Sequence, residues 1–156
     1  MSVPSRPLYE QVILDHNKHP RNFRAIEGAG RLAEGSNPLC GDHFTFYFKM
    51  DGTTILDAAF EGAGCAISKA SASIMTTVLQ GKTREEAACC CSRFQAMLAS
   101  DPSSPIDEGA LGTLAVFAGV RHYPVRSKCA LLPWRALQAA LEEQPPASLA
   151  SEAGGP

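Results

Sequence analysis

From Phe44 to Met50 the side chains alternate. Phe44, Phe46, Phe48 and Met50 fall on one side, and Thr45, Tyr47 and Lys49 on the other. A repeat of two is the signature of a strand with one buried face. Asp51-Gly52 follows as a hairpin turn, and the return strand runs to about Glu61. That strand is expected to place Leu56, Ala58 and Phe60 on one face, with Ile55, Asp57 and Glu61 on the other. Elsewhere the repeat is helical. Leu8 to Lys18 brings Leu8, Val12, Ile13 and His16 to one side, with Ser5 as a cap and Pro7 in the first turn. Pro20 stops this helix near His19. A short strand is expected around Arg31–Glu34, after a glycine-containing connector.

Beyond the hairpin, Ile67, Ala70, Ile74 and Val78 keep helical spacing up to Gly81. Thr83 and Glu86 occupy capping-box positions ahead of another helix, TREEAACCCSRFQAMLA. Asp101–Pro105 reads as a break. Ile106–Val120 is expected to hold a helix, and a last helix begins at Cys129 and runs through Ala130, Trp134, Leu137 and Leu141. Residues 144–156 are rich in Pro, Ser, Ala and Gly and read as a disordered tail. The expectation is one α+β domain over 1–143: a small antiparallel sheet of about three strands packed against several helices.

Composition narrows the function classes. The chain has 156 residues, enough for one domain with a real core, and 45% of them are hydrophobic. Lys and Arg number 14 against 16 Asp and Glu, for a net charge of −2. No basic block stands out, so there is no electrostatic case for nucleic acid. The opening MSVPSRPLYEQVILDH lacks the apolar core of a secretory signal, and no run reaches the ~18 apolar residues of a membrane span. The expected setting is cytoplasmic, without membrane contact. In a reducing compartment, six cysteines point to metal or thiol chemistry rather than disulfides.

Three of the six, Cys89, Cys90 and Cys91, are consecutive in a helix. Neighbours there point ~100° apart, so they cannot converge on one metal, and packing is their expected role. The other three stand at expected element boundaries. Cys40 lies in the turn of NPLCGDH before the first hairpin strand, Cys65 where GAG enters a helix, and Cys129 at the head of the last helix. The antiparallel hairpin brings Cys40, Asp42 and Cys65 to the same end of the sheet. A thiolate at a helix N-terminus, as at Cys65, is stabilised by the dipole and by unpaired N–H groups. With Cys129 these residues form a set of three sulfurs and one oxygen. Such a set suits tetrahedral zinc or an iron–sulfur cluster, although single scattered cysteines also serve as small buried hydrophobes. Arg126 and Lys128 lie beside Cys129 and offset part of the negative charge. GAGCAISKAS is no phosphate loop, because it lacks GK[ST]. His43 reads as a polar residue starting the strand, with a ligand role as the alternative, His16 and His19 as surface or helix-packing residues, His122 as a loop residue and Trp134 as core.

Four motifs in order, LYEQVILDHNKHPRNF, NPLCGD, GAGCAIS and RSKCALLPW, resemble the NifU N-terminal/IscU-like family of iron–sulfur assembly proteins over about Leu8–Leu141. Scaffolds of the IscU type carry His immediately before the third cysteine, where this chain has Lys128. They also carry an LPPVK-like segment that is absent here. The long stretch between the second and third cysteines and the form of RSKCALLPW look like the SufU branch. The resemblance implies a SufE/NifU-like fold and zinc held by Cys40, Asp42, Cys65 and Cys129. It implies Cys40 as the acceptor of persulfide sulfur from a PLP-dependent, SufS-like cysteine desulfurase that the protein activates. A His from that partner would replace Cys40 on zinc, with Arg126 orienting Cys40 or touching the partner. Onward sulfur transfer would reach an iron–sulfur scaffold or apo-protein acceptors. The alternative implied function is a scaffold for a [2Fe–2S] cluster.

Overall fold

The computed structural model describes the backbone of residues 6–37 and 41–142, and side chains from residue 9 onward. Ser5, Cys40 and the expected tail 144–156 lie outside the described residues. Three strands, β1 (Arg31–Asn37), β2 (Asp42–Asp51) and β3 (Thr54–Ala63), form an antiparallel sheet in that order. Around it stand α1 (Arg6–Lys18), α2 (Ala66–Leu79), α3 (Arg84–Ala99), α4 (Glu108–Leu111), a 3₁₀ segment (Gly112–His122) and α5 (Pro124–Glu142). This is the expected α+β arrangement.

The period-two pattern of β2 does what it predicts. Phe44, Phe46 and Phe48 are fully buried, each ring contributing about 1.5–3 kcal/mol of apolar burial. Phe44 and Phe46 both pack on Phe60 of β3, at ring-centre distances of 5.9 and 6.1 Å. The β3 phase differs from expectation at one end. Ile55 is fully buried, whereas Leu56 is 49% exposed. Lys49 pairs with Asp57 but Met50 pairs with Ile55, so Leu56 is an extra residue on β3. This bulge reverses the inside–outside phase between Ile55 and Ala58. The turn itself comprises Gly52 and Thr53, one residue later than Asp51-Gly52, and Gly52 carries the positive φ of 62° that two-residue hairpins require at this position.

Two further expectations need correction. Ile106–Val120 is not one helix. Gly112 adopts φ 58°, which an α-helix cannot continue through, so α4 ends after one turn and a 3₁₀ segment follows. That segment is far longer than the usual three or four residues, and burial of Leu114, Ala115, Phe117 and Val120 anchors it. The last helix begins at Pro124, whose fixed φ suits a first helical position, so Cys129 lies in its second turn rather than at its head. The capping box of α3 forms as expected, with Thr83 and Glu86 each bonded to the other's backbone N–H.

Helices α2 and α5 pack side by side on the sheet, α2 against β3 and α5 against β1, and α2 is buried nearly all round, at Ala70, Ser71, Ala72, Ser73 and Met75 among others. Small side chains let neighbouring backbones approach closely, and each buried hydroxyl has a partner. The Ser71 hydroxyl donates to the Ala130 carbonyl of α5 at 2.6 Å. Ser73 Oγ accepts from the Arg21 N–H at 2.8 Å and meets His16 Nδ1 at 2.7 Å. Trp134 is fully buried against Phe94, 5.4 Å between ring centres.

The Ser73 contact makes stability pH-dependent. His16, half-buried where its Nδ1 meets Ser73 Oγ, is the titrating group. Burial first, then the charge of Arg21, hold the His16 pKa below its ordinary 6.5. The unfolded chain therefore takes up the proton first, and stability falls as pH drops below 6.5. Urea midpoints measured from about pH 7.5 down to about 5.5 should decline for this protein. In His16→Gln the decline over that window should be shallower.

Candidate metal centre

Strand β3 runs into α2 through Gly62-Ala63-Gly64-Cys65, and the two glycines are required by contact. A Cβ on Gly62 would lie 2.2 Å from the His43 carbonyl oxygen, at a φ of 132°. On Gly64 it would lie 2.6 Å from Asp42 Oδ1, 2.7 Å from the end of the Phe44 ring and 2.7 Å from Ser68 Oγ. The chain can thus lay its backbone directly on the Asp42 carboxylate. The N–H of Cys65 donates to Asp42 Oδ1 at 2.7 Å.

Cys65 is the N-cap of α2. Its extended backbone turns the thiol over the first turn, where Sγ accepts from the Ser68 N–H at 3.5 Å. Ser68 Oγ lies 3.5 Å from the same sulfur and 3.1 Å from the Cys65 carbonyl oxygen. Sulfur here takes the place of the usual capping oxygen. Opposite, Cys129 is fully buried on α5, and the Ser71–Ala130 bond one residue along fixes α5 against α2. Asn37 Nδ2 at the end of β1 donates to Cys129 Sγ at 3.9 Å. Pro133 has no N–H to return to the Cys129 carbonyl four residues earlier.

Ligand atoms of Asp42, Cys65 and Cys129 all lie within 4.8 Å of one another. Zinc would sit about 2.3 Å from each sulfur and about 2 Å from an oxygen, which needs separations only slightly shorter. The donor set also fits in its chemistry. Asp42 is 2% exposed, and its second oxygen, Oδ2, has no hydrogen-bond partner among the described residues. A buried carboxylate oxygen without a donor is costly unless a cation meets it.

Three of the four expected ligands therefore converge, and the fourth, Cys40, lies outside the described residues. His43 is exposed and points away from the Asp42 face, paired in the strands with Ser36 and Ala63. Arg126 is exposed on α5, one turn before Cys129. It borders a groove of about 650 Å³ whose walls include Tyr9, Ile13, Ile67, Val116 and Val120. The groove reaches the first turn of α2, two residues from Cys65. In the triplet, Cys89 is exposed and Cys91 is fully buried, donating to the Trp134 carbonyl at 3.7 Å. Burial pushes the Cys91 thiol up to about 11 and raises that of Cys90 as well, as suits packing residues. Reading the sequence alone passed over Asn37, Gly64 and Ser68. All three sit inside NPLCGDH or GAGCAIS, so adjacency to the ligands was the available signal.

Known proteins resemble this chain in sequence and in fold. The family model described as the NifU-like N terminal domain matches residues 8–130. The zinc-dependent sulfurtransferase SufU of Bacillus subtilis is 42% identical over 132 residues, 84% of this chain and 87% of that protein. The iron–sulfur cluster assembly scaffold protein IscU of Streptococcus pyogenes is 38% identical over 135 residues, covering 86% and 83%. A crystal structure from Fervidobacterium islandicum, assigned as an iron–sulfur cluster assembly scaffold for the SUF system, superposes with a TM-score of 0.79 at 40% identity. It covers 88% of this chain and 99% of that one. Among the described residues, no helix is long and apolar enough to cross a membrane.

Gly64→Ala tests the site's construction. Its methyl group would push Asp42 and Ser68 apart, so metal retained through purification, measured by elemental analysis, should fall about tenfold. The overpacking should cost about 1–3 kcal/mol in urea unfolding.

Proposed function

The chain belongs to the NifU-like N terminal domain family of iron–sulfur cluster assembly proteins, and we propose that it is a zinc-dependent sulfur acceptor that activates a PLP-dependent cysteine desulfurase. The observation that carries this reading is the buried Asp42 carboxylate, whose Oδ2 is partnerless among the described residues and which brings an oxygen within 4.8 Å of two cysteine sulfurs. Three thiolates and a carboxylate, completed by Cys40, match zinc in charge and softness. Bound there, zinc would keep the thiols deprotonated without redox chemistry of its own.

The chain's residues divide the work. Asp42 is held at one oxygen by the Cys65 N–H, which leaves the other to the metal. Cys65 and Cys129 are anchored by helices. Cys40 would complete the ligand set at rest, and once freed by a partner's His it would be the nucleophile. Its thiolate attacks the outer sulfur of the desulfurase persulfide. A new S–S bond forms on Cys40, the old S–S bond breaks, and the partner's cysteine leaves as a thiolate. The proton stays on the transferred sulfur, and no external oxidant or reductant is needed. Arg126, on the groove edge near the ligands, supports the partner or Cys40. The sulfur then passes to an iron–sulfur scaffold or apo-protein. Residues 1–143 act as one domain, and the setting is cytoplasmic.

The relatives named IscU favour a second reading, a scaffold for a [2Fe–2S] cluster. Lys128 stands where scaffolds of that type carry His, which weighs against it. Anaerobic reconstitution followed by cluster transfer to an apo-protein would support the scaffold instead.

The protein as isolated should contain one zinc per chain, and adding it to a SufS-like desulfurase should raise cysteine turnover. Cys40→Ser should return turnover to the desulfurase's own rate. If that variant stimulates as well as the native protein, sulfur acceptance by Cys40 is wrong.

A further inference from the structure

Two of the site's sulfurs receive hydrogen bonds from residues that are not ligands. Cys65 Sγ accepts from the Ser68 N–H at 3.5 Å, and the Ser68 hydroxyl donates to the Cys65 carbonyl at 3.1 Å, holding the same cap in place. Cys129 Sγ has the Asn37 side-chain amide at 3.9 Å. Neither donor is incidental to the fold. Ser68 is fully buried, and Gly64 leaves the space its hydroxyl occupies, since a Cβ there would stand 2.7 Å from it. Asn37 closes β1 directly opposite Asp42, so one strand pair presents a ligand on β2 and a donor on β1.

Hydrogen bonds to a thiolate draw density from the sulfur. They make it less nucleophilic and harder to protonate, and they fix its direction toward a metal. The sulfurs so held are those that must stay in place when Cys40 leaves. Building on the sulfur-acceptor reading above, we infer that Ser68 and Asn37 are positioning residues that keep Cys65 and Cys129 as permanent ligands, so that exchange is confined to the remaining sulfur.

The two donors differ in kind. Ser68 acts through a backbone N–H, which no substitution except proline removes, and its hydroxyl, bonded to the Cys65 carbonyl, steadies that N–H under the sulfur. Asn37 acts through its side chain alone. Loss of the Asn37 amide should therefore loosen Cys129 more than loss of the Ser68 hydroxyl loosens Cys65.

The test uses the full-length protein loaded with zinc or with Co²⁺, and it does not depend on a desulfurase. Zinc held against a chromophoric chelator should weaken about tenfold in Asn37→Ala and severalfold in Ser68→Ala. In the Co²⁺ form the thiolate-to-metal charge-transfer band should move to longer wavelength in Asn37→Ala, because a sulfur relieved of its hydrogen bond gives up electrons more easily. In Ser68→Ala, which keeps the N–H to Cys65, the band should stay near its native position. Ser68→Thr, which keeps a hydroxyl for the Cys65 carbonyl, should hold zinc as the native protein does. Native retention and a native band in folded Asn37→Ala, or native retention in folded Ser68→Ala, would overturn the inference. If Ser68→Ala does not fold, Asn37→Ala alone decides it. If the native protein holds zinc but leaves desulfurase turnover unchanged, the sulfur-acceptor reading fails, while the band and zinc retention still report on the donors.

Discussion

One hydrogen bond ties the hairpin to the helix that follows it: the Cys65 N–H to Asp42 Oδ1, at 2.7 Å. It satisfies a backbone donor at the head of α2, one of the groups every helix start leaves without an intrahelical partner. It also fixes one oxygen of a buried carboxylate and leaves the other without a partner among the described residues. The bond forms only because Gly64 has no side chain. Strand end, helix start and candidate metal ligand are thus one constraint, met by GAGC on one side and Asp42 on the other.

The rest of the fold secures the third ligand. Cys129 belongs to α5, remote in sequence from the other two, and its position follows from how α5 packs on α2. Ser71 bonds α2 to the Ala130 carbonyl, and β1 reaches Cys129 through Asn37. Each such bond contributes only about 1 kcal/mol net. Their value lies in geometry: a metal site needs its atoms in place to a fraction of an ångström, and buried apolar packing alone is non-directional. The buried serines of α2 supply direction where alanines would supply only volume.

Much of this was legible in the sequence because it is local. Alternation in β2, the capping box at Thr83, and the glycines before Cys65 each report on a few neighbouring residues. The convergence of Asp42 and Cys65 followed from the hairpin, since antiparallel pairing returns the chain to the same end. What the sequence concealed depends on single residues overriding a pattern. A bulge at Leu56 reverses half a strand without changing its composition. Gly112 at positive φ divides what reads as one helix, and Pro124 starts the last helix earlier than its apolar stripe suggests. The donors Ser68 and Asn37 were hidden differently: serine and asparagine are common in loops and caps, and only a three-dimensional neighbour shows which sulfur they serve.

The six cysteines show why residue type alone could not name the chemistry. Cys91 and Cys129 are equally buried and both lie on helices. Around Cys91 lie apolar side chains and a backbone carbonyl, so the neutral thiol is favoured and its proton is held up to about 11. Around Cys129 lie an amide donor, a second sulfur and a carboxylate with an oxygen to spare. The first environment rewards a small hydrophobe. The second suits a cation, which would make each thiolate a stable ligand. The candidate metal site is a property of the end of the hairpin, where α2 and α5 meet it, and the cysteines form it only in that place.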